Sequence, residues 1–153
     1  MAVTGHVFPQ FALGIAASNI TLPGGTWKVA LSNAAGPVSL STSGVSTAKL
    51  FTDWTANVAA EITGTGYTAG GVAVSSPTFT AGGTNNSVAT FTSGTNPSWS
   101  SASFTANQAI LYQSSASTYQ LGCFWDFGGA ITITAATFTL TINANGLLTA
   151  TVS

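Results

Sequence analysis

The chain has 153 residues, and only 3% of them are charged: two lysines (Lys28, Lys49), no arginine and three acids (Asp53, Glu61, Asp126), for a net charge of −1. An ordinary soluble domain carries about 25% charged residues; two lysines cannot build a basic face, so nucleic acid is not expected as a partner, because phosphate recognition rests on Lys and Arg. Disorder is excluded as well, since it goes with low hydrophobicity and high net charge, whereas this chain is 45% hydrophobic with nine Phe, four Trp and three Tyr.

The length suits one domain with a hydrophobic core that needs neither metal nor disulfide. The single Cys123 cannot form an intramolecular disulfide; it lies in an apolar run and is expected to be a buried, inert thiol. The first residues lack the positively charged n-region of a signal peptide, and no apolar stretch reaches the length of a membrane span. A surface built of hydroxyls, amides and backbone with almost no net charge has little colloidal repulsion. It favours association through contacts that salt screens weakly.

In chain order, FALGIAA (11–17) is expected to be a strand or an arm docking on a neighbour. TWKVALS (26–32) alternates Trp27, Val29 and Leu31 with Lys28, Ala30 and Ser32, the period of a half-buried strand. GPVSLSTSGVSTA (36–48) is loop-like. TDWTANVAAE (52–61) is the one helix candidate, with Thr52 or Asp53 placed to cap it. Strands are expected in GVAVSSPTFT (71–80), SVATFTS (87–93), SASFTA (101–106), QAILYQ (108–113), YQLGCFWDF (119–127) and AITIT (130–134), with turns between them, Gly128-Gly129 among these. QAILYQ and LGCFWDF are apolar on both faces and should be central strands. ATFTLTIN (136–143), Asn145-Gly146 and LLTATVS (147–153) carry the pattern of a C-terminal hairpin. The fold class is therefore all-β, a single-domain β-sandwich or flattened barrel. Residues 1–25 form an N-terminal arm or first strand, residues 26–153 the sandwich, and at most one short helix is present.

GTGYTAGG (64–71) matches the G-x-G-x-x-G/A dinucleotide loop. That loop works between a strand and a helix, with an acid about 20 residues later. Here a valine-rich β run follows, and no acid lies between Glu61 and Asp126. The expected role is structural: glycines for positive φ or close backbone approach, with Tyr67 packing its ring against the domain, mostly buried. No cofactor is expected.

Catalytic routes are few. Asp53 and Glu61 fit one side of the short helix, and with Asp126 they are the only acids available to a glycosidase-type pair. Surface caps and turns are the simpler role for them. His6 is the only histidine for a triad and lies near the start of the chain. No cluster of metal-ligand types is present, so the chain is read as a non-enzyme without catalytic, cofactor or metal residues. Trp54, Trp99, Trp125, Tyr67, Tyr112 and Tyr119 are the aromatics available to stack on a sugar. Trp99, in the polar stretch GTNPSWSS, and Tyr119 are the best placed. The alternative role for all six is core or interface packing.

GTGYTAGG followed by GVAV, AILY (109–112), LGCFWDFGG (121–129) and FTLTINANGLLTATV (138–152), with FTDWTANVAAEI (51–62) ahead of them, resemble a group of small β-rich structural proteins of tailed bacteriophages. The resemblance spans roughly residues 50–153. It implies a virion component, foremost a decoration (cement) protein on the capsid exterior. Such a protein bridges major capsid subunits and pairs with copies of itself as a homotrimer, with no nucleic acid or membrane partner. A tail or fibre component, or a carbohydrate-binding module displayed on the virion, is the alternative. Phe8, Phe11, Leu13 and Ile15 are the expected interface anchors of the N-terminal arm.

Overall fold

The computed structural model describes residues 4–16, 25–34, 36–82, 88–115, 118–142 and 148–151. Its elements in chain order are β1 (Thr4–Val7), α1 (Pro9–Ala16), β2 (Trp27–Asn33), α2 (Phe51–Asn57), β3 (Ala60–Glu61), β4 (Val72–Ala73), β5 (Thr78–Gly82), β6 (Val88–Thr92), β7 (Ser98–Ser115), β8 (Thr118–Thr139) and β9 (Leu148–Thr151). The fold is all-β. A six-stranded antiparallel sheet runs β1-β8-β7-β2-β3, with β4 also on β2, and a three-stranded sheet runs β5-β6-β9.

The alternation in β2 decides what covers the main sheet. Ala30 and Ser32 share the face against which α2 lies: Trp54 donates its indole N–H to Ser32 Oγ at 3.1 Å and packs on Phe8 and Phe124 at ring centroid distances of 5.6 and 5.1 Å. Trp27 points to the opposite face. There Phe91 of β6 meets it at 5.1 Å, so the second sheet closes that side. Strands β7 and β8 lie between neighbours on both sides, and every residue from Gln108 to Gln113 is buried, as their two-sided apolar pattern requires.

β7 unites two expected strands, and β8 unites three. Gly128-Gly129 does not end a strand; it carries β8 through a bulge with φ of 72° and 156°. From Ala106 to Gln108 on β7, the partner runs from Ile131 back to Asp126 on β8. The extra residues bend the ribbon without ending its pairing.

Three further expectations are corrected. The N-terminal segment is a short strand, β1, on the free side of β8, followed by a helix rather than a second strand or an extended arm. Pro9 opens α1 at the position where its missing N–H costs nothing, and Phe11 and Gly14, one turn apart, face inward. With α2 this makes two short helices among the described residues. α2 ends at Asn57, and Glu61 lies in β3 instead of on the helix. Among the described residues the C-terminal hairpin is not formed between the expected strands. β9 pairs with β6, Leu148 opposite Phe91, while Leu140 and Ile142 donate their backbone N–H groups to Pro97 and Asn96 at 2.9 Å. The Asn145-Gly146 turn itself lies outside the described residues.

Candidate functional site

The glycine-rich stretch links β3 to β4, so it leads from strand to strand with no helix N-terminus for a phosphate. Its glycines are required by contact. A Cβ on Gly64 would stand 2.4 Å from the Ser103 carbonyl oxygen, one on Gly66 2.7 Å from that of Ser100, and one on Gly71 1.9 Å from that of Val29. Gly66, Gly70 and Gly71 have φ of 75°, 84° and 69°, in the left-handed region. The loop backbone thus lies directly on β7 and β2, and Thr65 bridges to Ser103.

Glu61 holds the loop from its N-terminal side. Its Oε1 accepts from the Tyr67 hydroxyl at 2.7 Å and from the Gly70 N–H at 2.5 Å. The Tyr67 oxygen in turn accepts from the Leu31 N–H at 3.0 Å, and the Tyr112 hydroxyl donates to the Gly70 carbonyl at 2.7 Å. Burial pushes the Tyr67 phenol well above its usual range, and its bond to the Glu61 carboxylate adds to the effect. Its ring packs edge-on to Phe104 at 6.0 Å and stacks at 6.4 Å from Trp99. Tyr67 is half-buried, less covered than expected.

Beside the loop lies a cleft of about 430 Å³ between α2 and β2, lined by Lys28, Phe51, Thr52, Thr55, Glu61 and Tyr112 together with Ala69 and Gly70. Its floor is the Phe51 and Tyr112 rings, stacked at 4.4 Å and 5°. Lys28 rises from β2 between Tyr112 of β7 and Ala73 of β4. The sequence reading missed this group. The available signal was one of only two lysines sitting in an otherwise apolar strand.

The three acids are not brought together as a catalytic pair. Asp53 Oδ2 accepts from the N–H groups of Lys49 and Leu50 at 3.0 and 2.9 Å and so secures the start of α2. Asp126 is buried, its Oδ2 accepting from the Val38 N–H and its Oδ1 from the Gly128 N–H at 2.6 Å, which ties the 36–48 loop to β8. His6 lies in β1, stacked on Phe124 at 4.9 Å. Cys123 is buried, and burial pushes its thiol far up. Among the described residues no group of three His, Cys, Asp or Glu is placed to hold a metal ion, and no helix is long and apolar enough to cross a membrane.

The proposed arm and stacking residues are placed as follows. Phe8 and Phe11 are buried in the chain's own core, and Leu13 is 62% exposed on α1. The Ile15 side chain lies outside the described residues. Trp99 is not in a surface loop; it opens β7 and is 2% exposed, packed on Phe138 at 5.6 Å. Trp54 and Tyr112 are buried too, while Trp125 is half-buried. Tyr119 falls in β8, its side chain outside the described ones.

Comparison of the chain with protein-family models, with curated proteins and with solved structures finds no match.

Proposed function

We propose that the protein is a virion structural component, a decoration protein that sits on the exterior of a capsid and bridges major capsid subunits as a homotrimer. Its work is mechanical and requires no cofactor. The observation that carries this reading is a surface nearly without charge that still exposes large apolar side chains. Of five charged residues, Asp126 is buried and Asp53 and Glu61 are occupied by backbone N–H groups. Val7, Leu13 and Leu40 are exposed by 42%, 62% and 39%. A surface with almost no charge has little repulsion to keep partners apart, which favours a subunit contact. The resemblance of residues 50–153 to small phage structural proteins supports the same reading.

The test is reconstitution on purified shells that lack the protein, counting copies per shell by cryo-EM. Saturable occupancy that changes little between low and high salt is expected, because neutral contacts are weakly screened. Leu13→Asp should lower half-saturation affinity by about ten-fold or more with the fold intact, since burying a leucine contributes about 1.5–3 kcal/mol. Wild-type protein that leaves shells bare overturns the proposal.

A further inference from the structure

We infer that the cleft between α2 and the glycine-rich loop binds a neutral saccharide, held between Lys28 and Glu61. In a chain with two lysines, one is placed on a central strand, half-buried, on the face that carries Ala30 and Ser32. Its stem lies along the sheet, and its ammonium sits beside Gly70 at the cleft. None of the described side chains pairs with Lys28. Glu61 lines the same cleft but does not close on it, because its Oε1 is already fixed by Tyr67 and Gly70. Two opposite charges therefore face one space with unused hydrogen-bonding capacity, and one of them is held in place before any ligand arrives.

The ligand class follows from that pair. An anion drawn to Lys28 is repelled by Glu61, and a cation drawn to Glu61 is repelled by Lys28. A neutral hydroxyl compound satisfies both, donating to the carboxylate and accepting from the ammonium in charge-assisted hydrogen bonds. Phe51 and Tyr112, stacked on each other and buried, make the floor rigid rather than a stacking face, and Thr52 and Thr55 add hydroxyl-bearing side chains to the lining. The volume, about 430 Å³, lies in the range that holds small ligands. This site is separate from Trp99, whose burial removes it as a stacking platform.

The experiment is saturation-transfer NMR and calorimetric titration of the full chain with glucose, galactose, mannose, N-acetylglucosamine and their disaccharides. Glucuronate and inorganic phosphate serve as anionic probes and glucosamine as the cationic one. Saturable binding of at least one neutral sugar is expected, with weaker or no binding of the charged probes. Lys28→Met should weaken it about ten-fold or more at an unchanged melting temperature, and Thr132→Val, on the outer face of β8, should leave it unchanged. If Lys28→Met fails to fold, Thr55→Val replaces it and should weaken binding several-fold. The inference is overturned by no saturable binding across the neutral panel, by tighter binding of glucuronate, phosphate or glucosamine, or by full affinity in the cleft variant.

Discussion

The β7–β8 ribbon is built in two ways along its length. Near its hairpin end, Gln108–Gln113 and Leu121–Phe124 are covered on both faces, by α2 on one side and by the second sheet on the other. Toward its open end, Trp99, Phe104 and Phe138 pack together on one face, while the other presents hydroxyls such as the Thr105 and Thr132 pair at 2.9 Å. The first half is held by large side chains. The second adds to its aromatic cluster a backbone contact, because Gly64 and Gly66 let the loop lie against Ser100–Phe104. One strand pair is thus covered on both faces by side chains in one half, and in the other on one face by aromatic rings and a closely laid glycine loop.

Trp54→Ala should show the largest effect. It empties the fully buried centre of the doubly covered half and should cost about 3–5 kcal/mol in urea unfolding; a loss below about 1 kcal/mol would mean that α2 does not close that face. Gly66→Ala should cost about 1–3 kcal/mol through strain at φ 75° and contact with the Ser100 carbonyl. Gly36→Ala, whose Cβ meets nothing within 4 Å, should stay within about 0.5 kcal/mol. Equal costs at the two glycines would mean that the close approach of the loop to Ser100 at Gly66 carries no cost.

Alkali probes both halves at once. Cys123 in the first and Tyr67 in the second have pKa values raised above 9.0 and 10.0, their ordinary values. Above those pH values the unfolded chain loses protons that the folded chain keeps, so stability is full below about pH 9 and falls as pH rises. Cys123 alone should contribute up to about 1.4 kcal/mol per pH unit. Cys123→Ala should delay the decline toward pH 10; an unchanged alkaline midpoint would show that the thiol is not buried. The smallest effect belongs to Thr132→Val on the wet face of the ribbon, expected within about 0.5 kcal/mol in the same unfolding measurement.

The parts legible in the sequence are those where local pattern and burial agree. Trp27, Val29 and Leu31 alternate because one face of β2 meets the second sheet, and the two-sided apolar run at 108–113 marks a strand with neighbours on both sides. The close-approach role of Gly64, Gly66 and Gly71 was legible for the same reason, as a glycine cluster entering a β run without a helix. Gly128-Gly129 was not, because a glycine pair permits a turn and a bulge equally, and only the partner strand decides. Asn145-Gly146 is a local signal and carries no information about which strand β9 will meet. In eight residues, Pro9–Ala16 cannot display enough periods to separate helix from strand. Of the cleft, Glu61, Tyr67 and Gly70 are near neighbours in sequence, whereas Lys28, Phe51 and Tyr112 meet only through the pairing of β2 with β7 and the docking of α2.

The first strand of the chain waits for nearly the last. Thr4 pairs with Asp126, and Trp27 with Gln113, so during synthesis the main sheet cannot close until β8 has left the ribosome. Until then Phe8, Phe11 and Trp27 have no cover, and the emerging chain has almost no charge to keep nascent copies apart. Long-range pairing of this kind is slow and exposes apolar surface while it proceeds. Yield in cells should therefore depend on how slowly, how cool and how well chaperoned the chain is made, more than on the stability of the finished domain.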